Sequence, residues 1–165
     1  MSPPPLIRPA EKRDLDALLS LSLRLSEEGR ETDQRYRPVV FDEDATRRHA
    51  SEDWFHASRP FPYAWIAEQD GTTVGILTGR VVPVHPLLEM RPTARIDALF
   101  VLPMARRNGL GRALVLAFCE SASEAGFPRH SVHTLSQDPR ALAFWRAFGF
   151  LDLFTELVRG STKAT

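Results

Sequence analysis

Three arginines, Arg106, Arg107 and Arg112, stand around two glycines, Gly109 and Gly111, with Asn108 and Leu110 between. The apolar spacing that follows predicts that a helix begins here. A helix start offers unpaired N–H groups and partial positive charge. Glycines let a ligand approach that backbone closely. Full positive charges beside such a start make a cradle for phosphate or pyrophosphate. The bland alternative is a helix start with two glycines and solvated arginines. Gly-x-x-x-x-Gly-Lys-Ser/Thr is missing, which excludes a P-loop. Arg106 stands where a dinucleotide fingerprint needs its first glycine. Upstream, Asp97 lies on the strand that precedes the cradle, before Val101. His133 and His85 are the histidines whose ordinary chemistry suits proton transfer near neutral pH.

The elements that must position these groups follow from the patterning. Ile96 to Leu102 reads as a strand buried on both faces, and Pro103 stops it. Leu110, Leu114, Ala117, Phe118 and Ser121 share one face of the next helix, and Gly126 is placed to end it. Before the strand, Leu6 to Arg8 reads as a short strand. Pro9 to Asp14 opens a helix carrying Leu15, Leu18, Leu19, Ser22 and Leu25. Glu27 to Pro38 reads as a polar loop with Gly29 as breaker. Asp42 or Asp44 caps a second helix running to about Ser58. Tyr63 to Glu68 and Thr72 to Val82 are strands joined at Asp70-Gly71, a strong hairpin signal. Gly75 and Gly79 inside the return strand mark a bulge or a close backbone approach. Pro83 to Thr93 is a loop. His130 to Ser136 reads as a strand, Asp138-Pro139 as the start of a helix ending at Gly149, and Leu151 to Val158 as a last strand.

The chain has 165 residues, 43% hydrophobic and 25% charged, with formal net charge +0. That is an ordinary globular mixture, expected to form one domain over residues 1–165 with its core at about 6–159. No global field attracts nucleic acid. No apolar run reaches membrane-spanning length and no signal-peptide core is seen, so a cytoplasmic protein with neither membrane nor nucleic-acid partners is expected. A lone cysteine, Cys119, reads as a small buried thiol.

Arg106-x-x-Gly109-x-Gly111, following Val101-x-Pro103, resembles the acyl-CoA signature of the GNAT N-acetyltransferase superfamily. A second stretch, Asp138 to Phe150, is similar to the closing motif of that family, Asn-x-x-Ala-x-x-x-Tyr-x-x-x-Gly-Phe. Ala141, Gly149 and Phe150 match; Asp138 replaces the asparagine and Trp145 the tyrosine. The resemblance implies an α+β GNAT fold: a mixed, mostly antiparallel sheet with helices on both faces and central strands splayed around acyl-CoA. It implies that pantetheine pairs with backbone at Leu99, Phe100 and Val101. Pyrophosphate then lies on Arg106, Arg107, Asn108, Gly109, Leu110, Gly111 and Arg112, with Asp138 and Trp145 also toward the cosubstrate.

The implied reaction moves an acetyl group from acetyl-CoA to a primary amine of a small molecule or peptide by direct attack, without a metal. Asp97 is the leading candidate base, its alternatives being a structural ion pair with Arg95 or replacement by His133 or His85. Trp145 stands where the family usually has a tyrosine acid. Indole donates a hydrogen bond but gives up no proton at useful pH. That departure keeps a non-catalytic acyl-CoA-binding or regulatory module as the alternative. A homodimer is the further partner expected.

Overall fold

Asp70 and Gly71 both adopt positive φ, 50° and 74°. A two-residue hairpin turn of this hand requires that conformation, and Asp and Gly tolerate it. The turn joins β2 (Ala64–Gln69) to β3 (Thr72–Val82) in an antiparallel pair. The computed structural model describes residues 5–33, 43–83, 92–153 and 155, with the side chain of Glu43 excepted. The other elements are β1 (Leu6–Pro9), α1 (Leu15–Thr32), α2 (Glu43–Phe55), β4 (Thr93–Val101), α3 (Leu110–Glu124), β5 (His130–Val132) and α4 (Pro139–Ala147). The chain divides into two compact units, Met1–His133 and Thr134–Thr165.

The first unit holds one five-stranded sheet in the order β1-β2-β3-β4-β5. Its first three pairings are antiparallel and the β4–β5 pairing is parallel, which makes it a mixed α+β sheet. Residues directly opposite one another share a face, so Ile66, Ile76 and Phe100 form one stripe. Leu18 and Leu21 of α1 pack on that stripe, with Leu25, Trp54, Phe55 and Leu102 at its margin. The opposite face meets α3, whose buried residues are Leu110, Leu114, Val115, Phe118 and Ala122. Gly79 permits that contact. A Cβ there would lie 2.4 Å from the Arg95 carbonyl oxygen and 2.6 Å from the Phe118 ring.

Several sequence expectations need correction. The Glu27 to Pro38 stretch is not a loop from its start: α1 continues through Gly29 to Thr32, and the Asp33 N–H still bonds the Gly29 carbonyl at 2.9 Å. Pro9 does not open a helix but closes β1; a 3-10 turn at Lys12–Asp14 precedes α1. The second helix stops at Phe55, the central strand spans Thr93–Val101 rather than Ile96 to Leu102, and β5 covers only His130–Val132 of the expected seven residues. The α3 stripe takes Val115 and Ala122 into its buried face. Leu151–Leu153 are irregular, and the remainder of the expected last strand, apart from Thr155, lies outside the described residues, as do His85 and Asp42.

Candidate active site

β4 is paired along its whole length on one edge only. On the β3 side the register runs from Val82 opposite Thr93 to Gly75 opposite Val101. On the β5 side it ends after three pairs, the last being Ile96 with Val132. Between those regions Asp97 is an extra residue: Thr78 faces Ala98 and Gly79 faces Ile96, leaving Asp97 without an opposite number. The Leu102 N–H bonds the Val74 carbonyl at 2.8 Å, which makes the neighbouring Gly75 and Val101 a non-hydrogen-bonded pair. By alternation the peptide groups of Leu99 and Val101 face away from β3, toward the edge that β5 has left. Those of Phe100 are turned to β3, and its side chain is core. Phe100 therefore offers that edge nothing, while Leu99 and Val101 present a short row of backbone donors and acceptors.

Beyond β4 a 3-10 turn at Pro103–Ala105 leads to Arg107, with φ 67°, and Gly109, with φ 78°. Left-handed residues alternating with right-handed ones turn successive N–H groups to one side, as in an anion nest. Gly109 is the N-cap of α3 and nothing within 4 Å would meet a Cβ there. The turn is thus open, and the glycine is required by its φ. Arg107 and Arg112 are exposed.

Arg106 is engaged within the fold. Its Nε donates to the Val101 carbonyl at 2.7 Å, and its Nη2 donates to both oxygens of Glu28 at 2.7 and 2.9 Å. Its guanidinium also lies 5.3 Å from the centre of the Phe100 ring. The one carbonyl on the open β4 edge nearest the cradle is therefore already satisfied. Glu28 had no signal in the sequence, because it falls in the stretch read as loop.

Asp97 forms the ion pair with Arg95 that was one of its two sequence readings, Nε to Oδ1 at 2.8 Å. Arg80 of β3 donates its Nε to Oδ2 at 2.5 Å and also reaches Asp53 of α2 at 3.4 Å. His133 is exposed and follows Val132, the last residue of β5 paired with β4. Asp97 and His133 are thus each the first residue past the final β4–β5 pair on their own strands. Arg80 carries no motif signal in the sequence. Its pairing with Asp97 depends on strand register.

In the second unit, Asp138 caps α4 as its spacing predicts: its carboxylate accepts the Arg140 and Ala141 N–H groups, both at 3.1 Å. Trp145 is buried, with edge-on contacts to Phe144 and Phe150 at 5.0 and 5.5 Å. Cys119 on α3 is half-buried, and burial pushes its thiol up to about 11, so it holds little thiolate for nucleophilic work. Among the described residues, no group of three or more His, Cys, Asp or Glu is arranged to hold a metal, and no helix is long and apolar enough to cross a membrane.

Residues 26–150 match the Acetyltransferase (GNAT) family. Mycothiol acetyltransferase of Saccharomonospora viridis is 30% identical over 119 residues, which are 71% of this chain and 38% of that protein. N-acetyltransferase family 8 member 3 of Mus musculus is 35% identical over 86 residues, 52% of this chain and 37% of that protein. The chain thus matches little more than a third of the length of these curated relatives. Among solved structures, aminoglycoside N-acetyltransferase AAC(6')-Iy in complex with CoA aligns with a TM-score of 0.77 and 18% identity, covering 98% of this chain and 97% of that one. That likeness is one of fold.

Proposed function

The chain belongs to the GNAT acetyltransferase family, and on that premise we propose that it transfers the acetyl group of acetyl-CoA to a primary amine by direct attack. The observation that supports this most is the open β4 edge. Leu99 and Val101 turn their peptide groups to a gap that leads into the N–H groups at the start of α3. An extended amide chain such as pantetheine pairs with such an edge as an added strand would. Its pyrophosphate then lies on the backbone of Arg107, Asn108, Gly109, Leu110, Gly111 and Arg112. A backbone N–H on the open edge polarises the thioester carbonyl. Arg106 acts indirectly, by fixing the join between edge and cradle.

The amine must lose a proton. Each oxygen of Asp97 already accepts a guanidinium N–H, so this reading gives the proton to His133 and gives Asp97 the arrangement of its two arginines. Trp145 supplies no proton to the departing thiolate. A thiol is a tolerable leaving group unaided, so water completes that step. The doubly bonded Asp97, together with the indole at Trp145, favours the second reading, an acyl-CoA-binding module without turnover.

Thiol release from acetyl-CoA with a panel of amines separates the two. The enzyme reading expects amine-dependent release, and a fall of ~10²-fold in His133→Gln, the usual scale for a general base. Tight CoA binding by calorimetry with no release from any amine would overturn it in favour of the binding module.

A further inference from the structure

We infer that the acceptor amine carries a carboxylate, and that Arg95, assisted by Arg80, recognises it; this rests on the acetyltransferase reading above. Arg80 and Arg95 are direct cross-strand partners in the β3–β4 register. Like charges directly opposite in an antiparallel pair are destabilising, so the arrangement costs stability unless anions offset it. Asp97 does so from the bulge, taking the Nε of each arginine on a different oxygen. Asp53 adds a longer contact to Arg80. The count is then two guanidiniums against two carboxylates.

The guanidinium edges are unequally used. Arg80 has its Nε on Asp97 and its Nη1 on Asp53. Arg95 has only its Nε engaged, and its two Nη groups have no partner among the described residues. Its side chain is 25% exposed and that of Arg80 44% exposed. A half-used planar fork suits a carboxylate, which it binds through two parallel N–H bonds. The pair also sits where an acceptor has to come. Arg95 is opposite Ser131, one pair before β4 and β5 part, and Asp97 is the first residue past that point. A polycation meets no excess of negative charge here and faces two arginines. An amine with a neighbouring carboxylate places its anion on Arg95 and its ammonium toward the unused lone pairs of Asp97. The aminoglycosides named for the structural neighbours carry several amines, so the acceptor class differs from theirs.

The test is thiol release with matched acceptors: amino acids, the same amino acids as carboxamides, and the polycations spermidine and kanamycin. The expected result is a kcat/KM for the acids at least about tenfold above the carboxamides and polycations, a preference that Arg95→Gln abolishes. Arg95→Lys keeps the charge without the fork and reduces the preference; it serves if the glutamine variant misfolds. Carboxamides or polycations used as well as the acids, or a preference that survives in the folded Arg95→Gln protein, would overturn the inference and leave the acetyltransferase reading standing. If no amine releases thiol, that reading fails instead. Calorimetry on the CoA-saturated protein then decides the inference: acids that bind to wild type and not to Arg95→Gln support it, and acids that bind neither, or both alike, overturn it.

Discussion

Arg106 occupies the first position of a phosphate-binding spacing, yet its guanidinium is held by Glu28 and the Val101 carbonyl. Spacing reports which residue types lie near a helix start, and it says nothing of a carboxylate arriving from α1. Arg106→Ala and Glu28→Gln should therefore both raise KM for acetyl-CoA while leaving its salt dependence near wild type. On the proposed reading, Arg107→Ala and Arg112→Ala should instead flatten that dependence, because each removes an exposed positive charge beside the cradle. The Arg106–Glu28 pair is partly exposed, so its coupling in a double-mutant cycle on thermal stability should be about 1 kcal/mol or less. Burial raises the Cys119 thiol to about 11, and alkylation at pH 8 should accordingly run far slower than for a free cysteine; labelling at the free rate would contradict that burial. On the proposed reading Trp145→Phe should keep most of the turnover, because it preserves the packing on Phe144 and Phe150 and removes only the indole N–H. A hundredfold loss measured in the folded variant would give the indole N–H a catalytic role.

At the scale of elements, punctuation was the legible part. Asp70-Gly71 set the hairpin. Gly126 and Gly149 end their helices with φ of 91° and 85°, and the N–H groups of Phe127 and Phe150 close back on Ala122 and Trp145. Gly29 misled because a mid-helix glycine costs only about 1 kcal/mol, an amount that tertiary contacts from the same turn, such as Glu28 with Arg106, offset. The short β5 was illegible for another reason: His130 to Ser136 has strand-like composition, and its pairing stops beside the bulge at Asp97 in another strand. Gly79 belongs to the same geometry. Gly79→Ala pushes a Cβ into the Arg95 carbonyl and the Phe118 ring, and a rigid backbone group yields little, so thermal denaturation should show a loss of roughly 1–3 kcal/mol. Asp14 ties β1 to the start of α1 through Arg8 at 2.8 Å, and that hydrogen bond above all lowers its carboxyl below its ordinary 3.8. A depressed acid contributes stability that is present above its unfolded pKa and lost as pH falls through the folded one. Asp14→Asn should therefore narrow the gap to wild type as the medium is acidified below about pH 4, an outcome read from denaturation midpoints across that range.

Taken whole, the chain has a formal net charge of +0, so on the proposed reading the attraction for acetyl-CoA falls to local charge at the start of α3. A ligand held by the folded state alone stabilises it by mass action, ~2.7 kcal/mol at a hundred times its dissociation constant. CoA should raise the melting temperature accordingly, and Gly111→Asp should blunt that rise by setting a negative charge beside the pyrophosphate. Gly111 lies inside α3, where an acidic first turn is compatible with the helix, so an unaltered CoA shift in the folded variant would remove the cradle from its assigned place. The bare margin of β4 has one more consequence, for solvent. The Ala94 amide is tied to the Arg129 carbonyl at 3.0 Å, whereas those of Leu99 and Val101 have no acceptor among the described residues. In deuterated water the two classes should part on one strand: Ala94 retaining its proton, Leu99 and Val101 surrendering theirs quickly. Adding CoA should slow the second class selectively, turning one half-strand of a β-sheet into a clock for occupancy.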